Sequence, residues 1–261
     1  MNLLQDDRAS IRFLNRYNSM QKKLNIKTTD KKTIFGTLDI PKVKSKWLII
    51  FIHGLLWHQN EHIFFNGAEY FTKKWYSTYR FDLYGFCEPA RVLENTCLKT
   101  HIDDIKNTIQ YFKSQWTKTI FLVGHSLGGI ASIESESKDI TWMILWDPAF
   151  KIQKSIGTCV KYSNKNYVLD RWTKYILSKE MYHDLTVPKE QAKIIKKITT
   201  PIKIICAEYS KNIRKQSEIQ YKIANEPKEF TIIPWASHYF NEAGTEKMLF
   251  KETYARIKKY T

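Results

Sequence analysis

A chain of 261 residues with 43% hydrophobic and 14% aromatic content has enough apolar material for one sizeable core, which excludes an intrinsically disordered protein. Its formal charge of +16 comes from short scattered runs such as Lys22–Lys23, Lys31–Lys32 and Lys196–Lys197, with no zinc-finger, helix-turn-helix or RNA-binding signature beside them. Specific nucleic-acid binding is therefore not expected, and the surplus leaves a solvated basic surface open to weak attraction by anionic surfaces.

The first residues carry no secretory pattern, because Asp6, Asp7 and Arg8 interrupt them before an apolar stretch forms. No run approaches the roughly 20 apolar residues of a membrane span, so a cytoplasmic location is the expectation. Cys87, Cys97, Cys159 and Cys206 are scattered, without the tight spacing of a zinc site or disulfide scaffold, and read as reduced thiols.

Residues 1–23 show helical spacing at Ile11, Leu14 and Tyr17, and residues 24–39 alternate as a hairpin turning at residues 30–32. A repeating order then begins. Residues 47–52 are a solidly apolar strand of the kind a covered parallel sheet produces. A helix over 68–74, a strand over 77–81 and a helix over 101–116 follow, the last with Ile102, Ile105, Ile109 and Phe112 on one face. Next come a strand at 119–123, a helix at 127–136 and a strand at 142–146. Residues 149–199 lose the rhythm and read as mostly helical or irregular patches. It resumes with a strand at 201–207, a helix at 217–224, a strand at 229–234 and a closing helix at 247–259. Alternation of this kind predicts an α/β chain folded as a doubly wound, mostly parallel sheet, with ligands at the carboxyl ends of the strands.

The chemistry-bearing residues fall at those ends. Gly124-His125-Ser126-Leu127-Gly128-Gly129 follows an apolar strand and opens a helix, which is the context of a G-x-S-x-G nucleophile elbow. A tight turn there lifts the Ser126 hydroxyl above the sheet edge. The Leu127 N–H, at the helix start, points to where an oxyanion develops. The strand ending at His53-Gly54 offers a second such donor, the Leu55 N–H, with His53 holding the loop through hydrogen bonds. His58 and His62 read as surface residues before pocket residues. His238 lies just beyond the last strand and is the base this order of elements selects, with His183 as its competitor.

Together these residues resemble the α/β-hydrolase superfamily. The segment from His53-Gly54 through Asn60-Glu61-His62 and Arg80-Phe81-Asp82-Leu83-Tyr84-Gly85 is similar to feruloyl/cinnamoyl esterases and monoglyceride-lipase-like hydrolases. The group's D-x-x-G-x-G-x-S turn departs here, with Cys87 for the second glycine and Pro89 for the serine. The resemblance implies an α/β-hydrolase fold over 1–261 as one domain, a small cap at 149–199, and a small-molecule ester or acyl substrate handled without cofactor or metal. It also implies an acid after the penultimate strand, where this chain has Ser210. Asp147, ending the strand before that one, is the favoured replacement, Glu208 is the alternative, and another acid or a working Ser–His dyad stays open beside them. Asp147 also reads as a helix N-cap before Pro148. Acyl transfer to another acceptor, and a silent fold used for binding, stay open beside hydrolysis.

Overall fold

The computed structural model describes residues 19–43, 45–115, 117–150, 158–186 and 195–260. The expected helical spacing at Ile11, Leu14 and Tyr17 lies outside them. Strand β1 (Ser19–Lys27) pairs antiparallel with β2 (Thr33–Pro41), so the hairpin forms and takes in residues read as the end of the leader. Then come β3 (Trp47–Ile52), α1 (His62–Thr72), β4 (Ser77–Phe81), α2 (Leu98–Ser114), β5 (Thr119–His125), α3 (Leu127–Glu134) and β6 (Trp142–Trp146). After an insert, β10 (Ile202–Ala207), α5 (Lys211–Ile223), β11 (Lys228–Ile233) and α6 (Thr245–Ile257) complete the order.

The eight strands of the main sheet run β1-β2-β4-β3-β5-β6-β10-β11. From β4 to β11 every neighbouring pair is parallel, and β1 and β2 add an antiparallel edge. This is the α/β-hydrolase fold in its mostly parallel, doubly wound form. Period-two alternation splits each central strand between two cores. Ile50, Ile52, Leu122, Met143 and Ile204 pack with α2 and α3 on one face. Ile49, Phe51, Phe121, Ile144, Trp146 and Ile205 pack with α1 and α6 on the other. Burying such a side chain fully is worth roughly 1.5–3 kcal/mol, which is why both faces of these strands are apolar. The chain leaves β3 to one side for β4 and returns on the other side to β5. That reversal opens a crevice at the carboxyl ends of β3 and β5, where doubly wound sheets place their ligands.

The insert corrects one expectation. Its described part is not mostly helical: β7 (Thr158–Lys161), β8 (Asn166–Asp170) and β9 (Lys174–Ser178) form a separate antiparallel sheet, followed by α4 (Lys179–Thr186). Each strand has four or five residues and several are exposed, so no long apolar period marks them. Leu169 and Leu177 from this sheet and Met181 and Leu185 from α4 nevertheless join the core cluster that contains Leu98. The Asp184 carboxylate accepts the Leu98 N–H at 2.8 Å, satisfying a donor at the start of α2. Among the described residues no helix is long and apolar enough to cross a membrane.

Candidate functional site

Ser126 occupies the turn between β5 and α3 with φ 54° and ψ −119°, a conformation that costs an L-residue energy and persists only where its surroundings enforce it. Two glycines do that enforcing. A Cβ on Gly124 would lie 2.6 Å from the Gly128 carbonyl oxygen and 2.7 Å from Ser132 Oγ. A Cβ on Gly128 would come within 2.5 Å of the Ile52 carbonyl oxygen. The turn is thus packed backbone against backbone, and the Ser126 N–H donates to the Trp146 carbonyl at 3.1 Å.

The His238 imidazole meets this serine. Its Nε2 is 3.0 Å from Ser126 Oγ, and its Nδ1 is 2.6 Å from Asp147 Oδ2. Asp147 is buried and left-handed at φ 44°, and its other carboxylate oxygen accepts the Ala207 N–H at 3.0 Å. Among the described residues no helix begins at Asp147, so the capping reading fails. Glu208 points elsewhere: its carboxylate accepts the Trp235 N–H at 2.6 Å, bracing the turn after β11. Ser210 stands at the N-cap position of α5. A carboxylate on Nδ1 fixes the imidazole with its proton there, leaving Nε2 free to accept from the serine hydroxyl.

Further bonds hold the His238 loop. The Ser237 N–H donates to Glu242 at 2.9 Å, and the Tyr209 N–H donates to the Ala236 carbonyl at 2.8 Å. His125 Nε2 donates to the His238 carbonyl at 2.9 Å, while its ring stacks on Trp57 at 4.6 Å and 15°. Sequence reasoning missed this positioning contact. His125 fills the variable position of the elbow motif, where nothing in the motif prescribes a histidine.

Leu55 follows the β3 strand end, and Leu127 is the first residue of α3, whose leading N–H groups have no acceptor within the helix. Leu55 lines the pocket over Ser126. His53 behaves as expected: its Nδ1 donates to the Gly54 carbonyl at 2.8 Å and its Nε2 accepts the Leu83 N–H at 2.9 Å. His62 pairs with Glu246 at 2.8 Å, and the exposed His58 is 3.5 Å from Glu61. His183 sits in α4 of the insert. The pocket above Ser126 encloses about 230 Å³, with Trp57, Tyr239, Arg171 and Trp172 among its walls. Among the described residues no group of three or more His, Cys, Asp or Glu could hold a metal ion.

These observations invite comparison with known proteins. The profile of the family described as serine aminopeptidase, S33, matches residues 43–192, more than half of the sequence. The chain belongs to that family of α/β hydrolases. The matched span of this S33 member includes Gly54, Ser126 and Asp147 and stops before His238. Est1E from Butyrivibrio proteoclasticus with bound ferulic acid superposes at a TM-score of 0.75 with 22% identity, covering 90% of this chain and 99% of its own. The esterase domain of a Rhodothermus marinus protein gives 0.70 at 14% identity, with coverage of 92% and 98%. Dienelactone hydrolase from Anabaena variabilis gives 0.69 at 14% identity, with coverage of 93% and 99%. At these identities the likeness is one of fold, and it includes the esterase resemblance expected from the sequence. No curated protein sequence matches the chain.

Burial makes the site's scaffold sensitive to acid. His53 is pushed down to about 4 by burial, and His101 to about 3 by burial and then its neighbour His53. His125 is held well below the ordinary imidazole range by burial first and by nearby His238 second. In the unfolded chain each takes up a proton near pH 6.5. Their folded values are lower, so the unfolded state binds more protons as pH falls below that point. Stability is therefore complete above about pH 6.5 and drains away toward pH 4. Thermal unfolding followed at pH 7.5, 5.5 and 4.5 should show a falling midpoint, steepest in the lower interval.

Proposed function

We propose that the protein is a serine hydrolase that cleaves a carboxylic ester or thioester through an acyl-enzyme on Ser126. The single observation that carries this reading is the continuous Oγ–imidazole–carboxylate line, with spacings of 3.0 and 2.6 Å. His238 Nε2 takes the serine proton as Oγ attacks the carbonyl carbon, and Asp147 stabilises the imidazolium that forms. The Leu55 and Leu127 N–H groups receive the oxyanion. The tetrahedral intermediate collapses, the bond to the leaving alcohol or thiol breaks, and His238 hands that group the proton. Water, deprotonated by the same imidazole, then attacks the acyl-enzyme and releases the acid. No resident metal or cofactor enters this sequence of steps.

Water as acceptor is supported by the 24% exposure of the His238 side chain, which leaves the base accessible from solvent. An ester with an apolar group suits the pocket, whose walls include Leu55, Trp57, Trp172 and Tyr239. The insert sheet, whose Arg171 and Trp172 border the serine pocket, acts as a small cap.

An organophosphonate activity probe tests the reading. It should label wild-type protein on the peptide bearing Ser126 and leave folded Ser126→Ala unlabelled, as read by intact-mass and peptide-mass spectrometry. Unlabelled, folded wild type would favour a silent fold used for binding.

A further inference from the structure

We propose that a second cavity, beside the serine pocket, receives the distal part of an apolar acyl chain, so that the enzyme selects esters by acyl length and tolerates varied leaving alcohols. This rests on the serine-hydrolase reading above and adds a direction to it. The pocket over Ser126 holds about 230 Å³, less than the roughly 300–1,000 Å³ of pockets that enclose drug-sized ligands. Beside it lies a cavity of about 680 Å³.

The two spaces share a wall. Trp57 lines both, and the loop after β3 supplies Leu55 to the first and Leu56 to the second. The β8–β9 turn and the start of β9 roof both: Trp172 stands over the serine pocket and Tyr175 over the larger cavity. These two rings meet edge to face at 5.9 Å.

His238 decides which half of the ester points which way. The leaving oxygen must collect its proton from Nε2, so the alcohol departs within hydrogen-bond reach of that ring. Of the serine pocket's walls, His238, Tyr239 and Ile213 do not border the larger cavity, whereas Trp57, stacked on Tyr239 at 5.6 Å, borders both. With the carbonyl oxygen held by the Leu55 and Leu127 N–H groups, the acyl chain leaves along Leu55 and Leu56, toward the larger cavity. That cavity's surface is chiefly apolar, with Val92, Leu93, Ile176 and the fully exposed Phe86 in its walls, and its charged lining residues are Asp82, Glu94 and Lys174. An exposed large apolar side chain beside a cavity of predominantly apolar surface suits an extended hydrocarbon.

Two ester series on the purified full chain test this: p-nitrophenyl esters from acetate to octanoate, and acetate esters of alcohols of increasing size. Wild type should gain about tenfold or more in kcat/KM between acetate and octanoate, since each buried methylene adds transition-state binding. Across the alcohols, kcat/KM should stay within about threefold. Ile176→Trp, on the partly exposed β9, should fill the cavity and lower octanoate turnover about tenfold while leaving acetate turnover unchanged. Steeper dependence on the alcohol than on the acyl chain would overturn the proposal. So would an equal loss on acetate and octanoate in Ile176→Trp. If acetate is turned over but chain length has no effect, the acyl site is wrong and the serine chemistry stands. If no ester is turned over, the serine chemistry fails. Calorimetric titration of wild type with octanoate then judges the cavity alone: saturable binding weakened by Ile176→Trp supports it, and no binding sinks it.

Discussion

Asp147→Asn lowers kcat about 10⁴-fold, the scale of the same change in other Ser-His-Asp triads, while the chain stays folded. The Ala207 N–H, 3.0 Å from Asp147 Oδ1, dictates how the new amide sits. That donor needs an acceptor, so the asparagine oxygen turns to Ala207 and the amide nitrogen faces His238. An amide N–H opposite Nδ1 forces that nitrogen to accept, which moves the ring proton to Nε2. His238 then points a proton at Ser126 and cannot take one. Glu208→Gln is the contrasting variant. Its amide oxygen can still accept the Trp235 N–H, and kcat should stay within about threefold. Steady-state kinetics on a soluble acetate ester, with circular dichroism to check folding, decides the matter. A larger loss in Glu208→Gln than in Asp147→Asn would transfer the acid to Glu208.

Gly128→Ala combines a loss of stability with a loss of turnover. The added methyl would lie within 2.5 Å of the Ile52 carbonyl oxygen and collide with that of His53 as well, and both are backbone atoms at the end of β3. Neither neighbour is a side chain that can swing away, so α3 must retreat from β3. Overpacking of this kind costs about 3 kcal/mol, visible as a lower urea midpoint. The same retreat separates the Leu127 N–H on α3 from the Leu55 N–H beyond β3. Loss of alignment at one oxyanion donor is worth about 10²–10³ in kcat. An unchanged urea midpoint together with unchanged kcat would mean that the elbow is looser than its packing indicates.

Both variants bear on how much of this molecule could be read from its residues. Trp47–Ile52, Ser77–Phe81 and Trp142–Trp146 were legible to the residue. Trp47–Ile52 and Trp142–Trp146 are covered on both faces and apolar at every position, so such runs have sharp ends. Ser77–Phe81, by contrast, carries Thr78 and Arg80 and was bounded by Asp82 after it. Helix starts were less legible. The helix read at 68–74 begins at His62: Ile63 and Phe64 in its first turn are buried, but Asn66-Gly67, a turn-like pair, breaks the run before Ala68. The insert's small sheet was missed for a related reason: strands of four or five residues, exposed on one side, carry too few apolar positions to set a period.

Local chemistry was enough to predict the fold and to nominate Ser126 and His238, because glycine spacing, the strand before the elbow and the order of elements are all written along one dimension. The choice between Asp147 and Glu208 is not. They end adjacent parallel strands, and either carboxylate is within plausible reach of a histidine loop. A left-handed turn at Asp147 and the N–H groups of Ala207 and Trp235 aim the two carboxylates in different directions. The seat of His125 under the His238 carbonyl is of the same kind. Such contacts join residues from 27 to 113 positions apart, and only folding brings them within hydrogen-bond range.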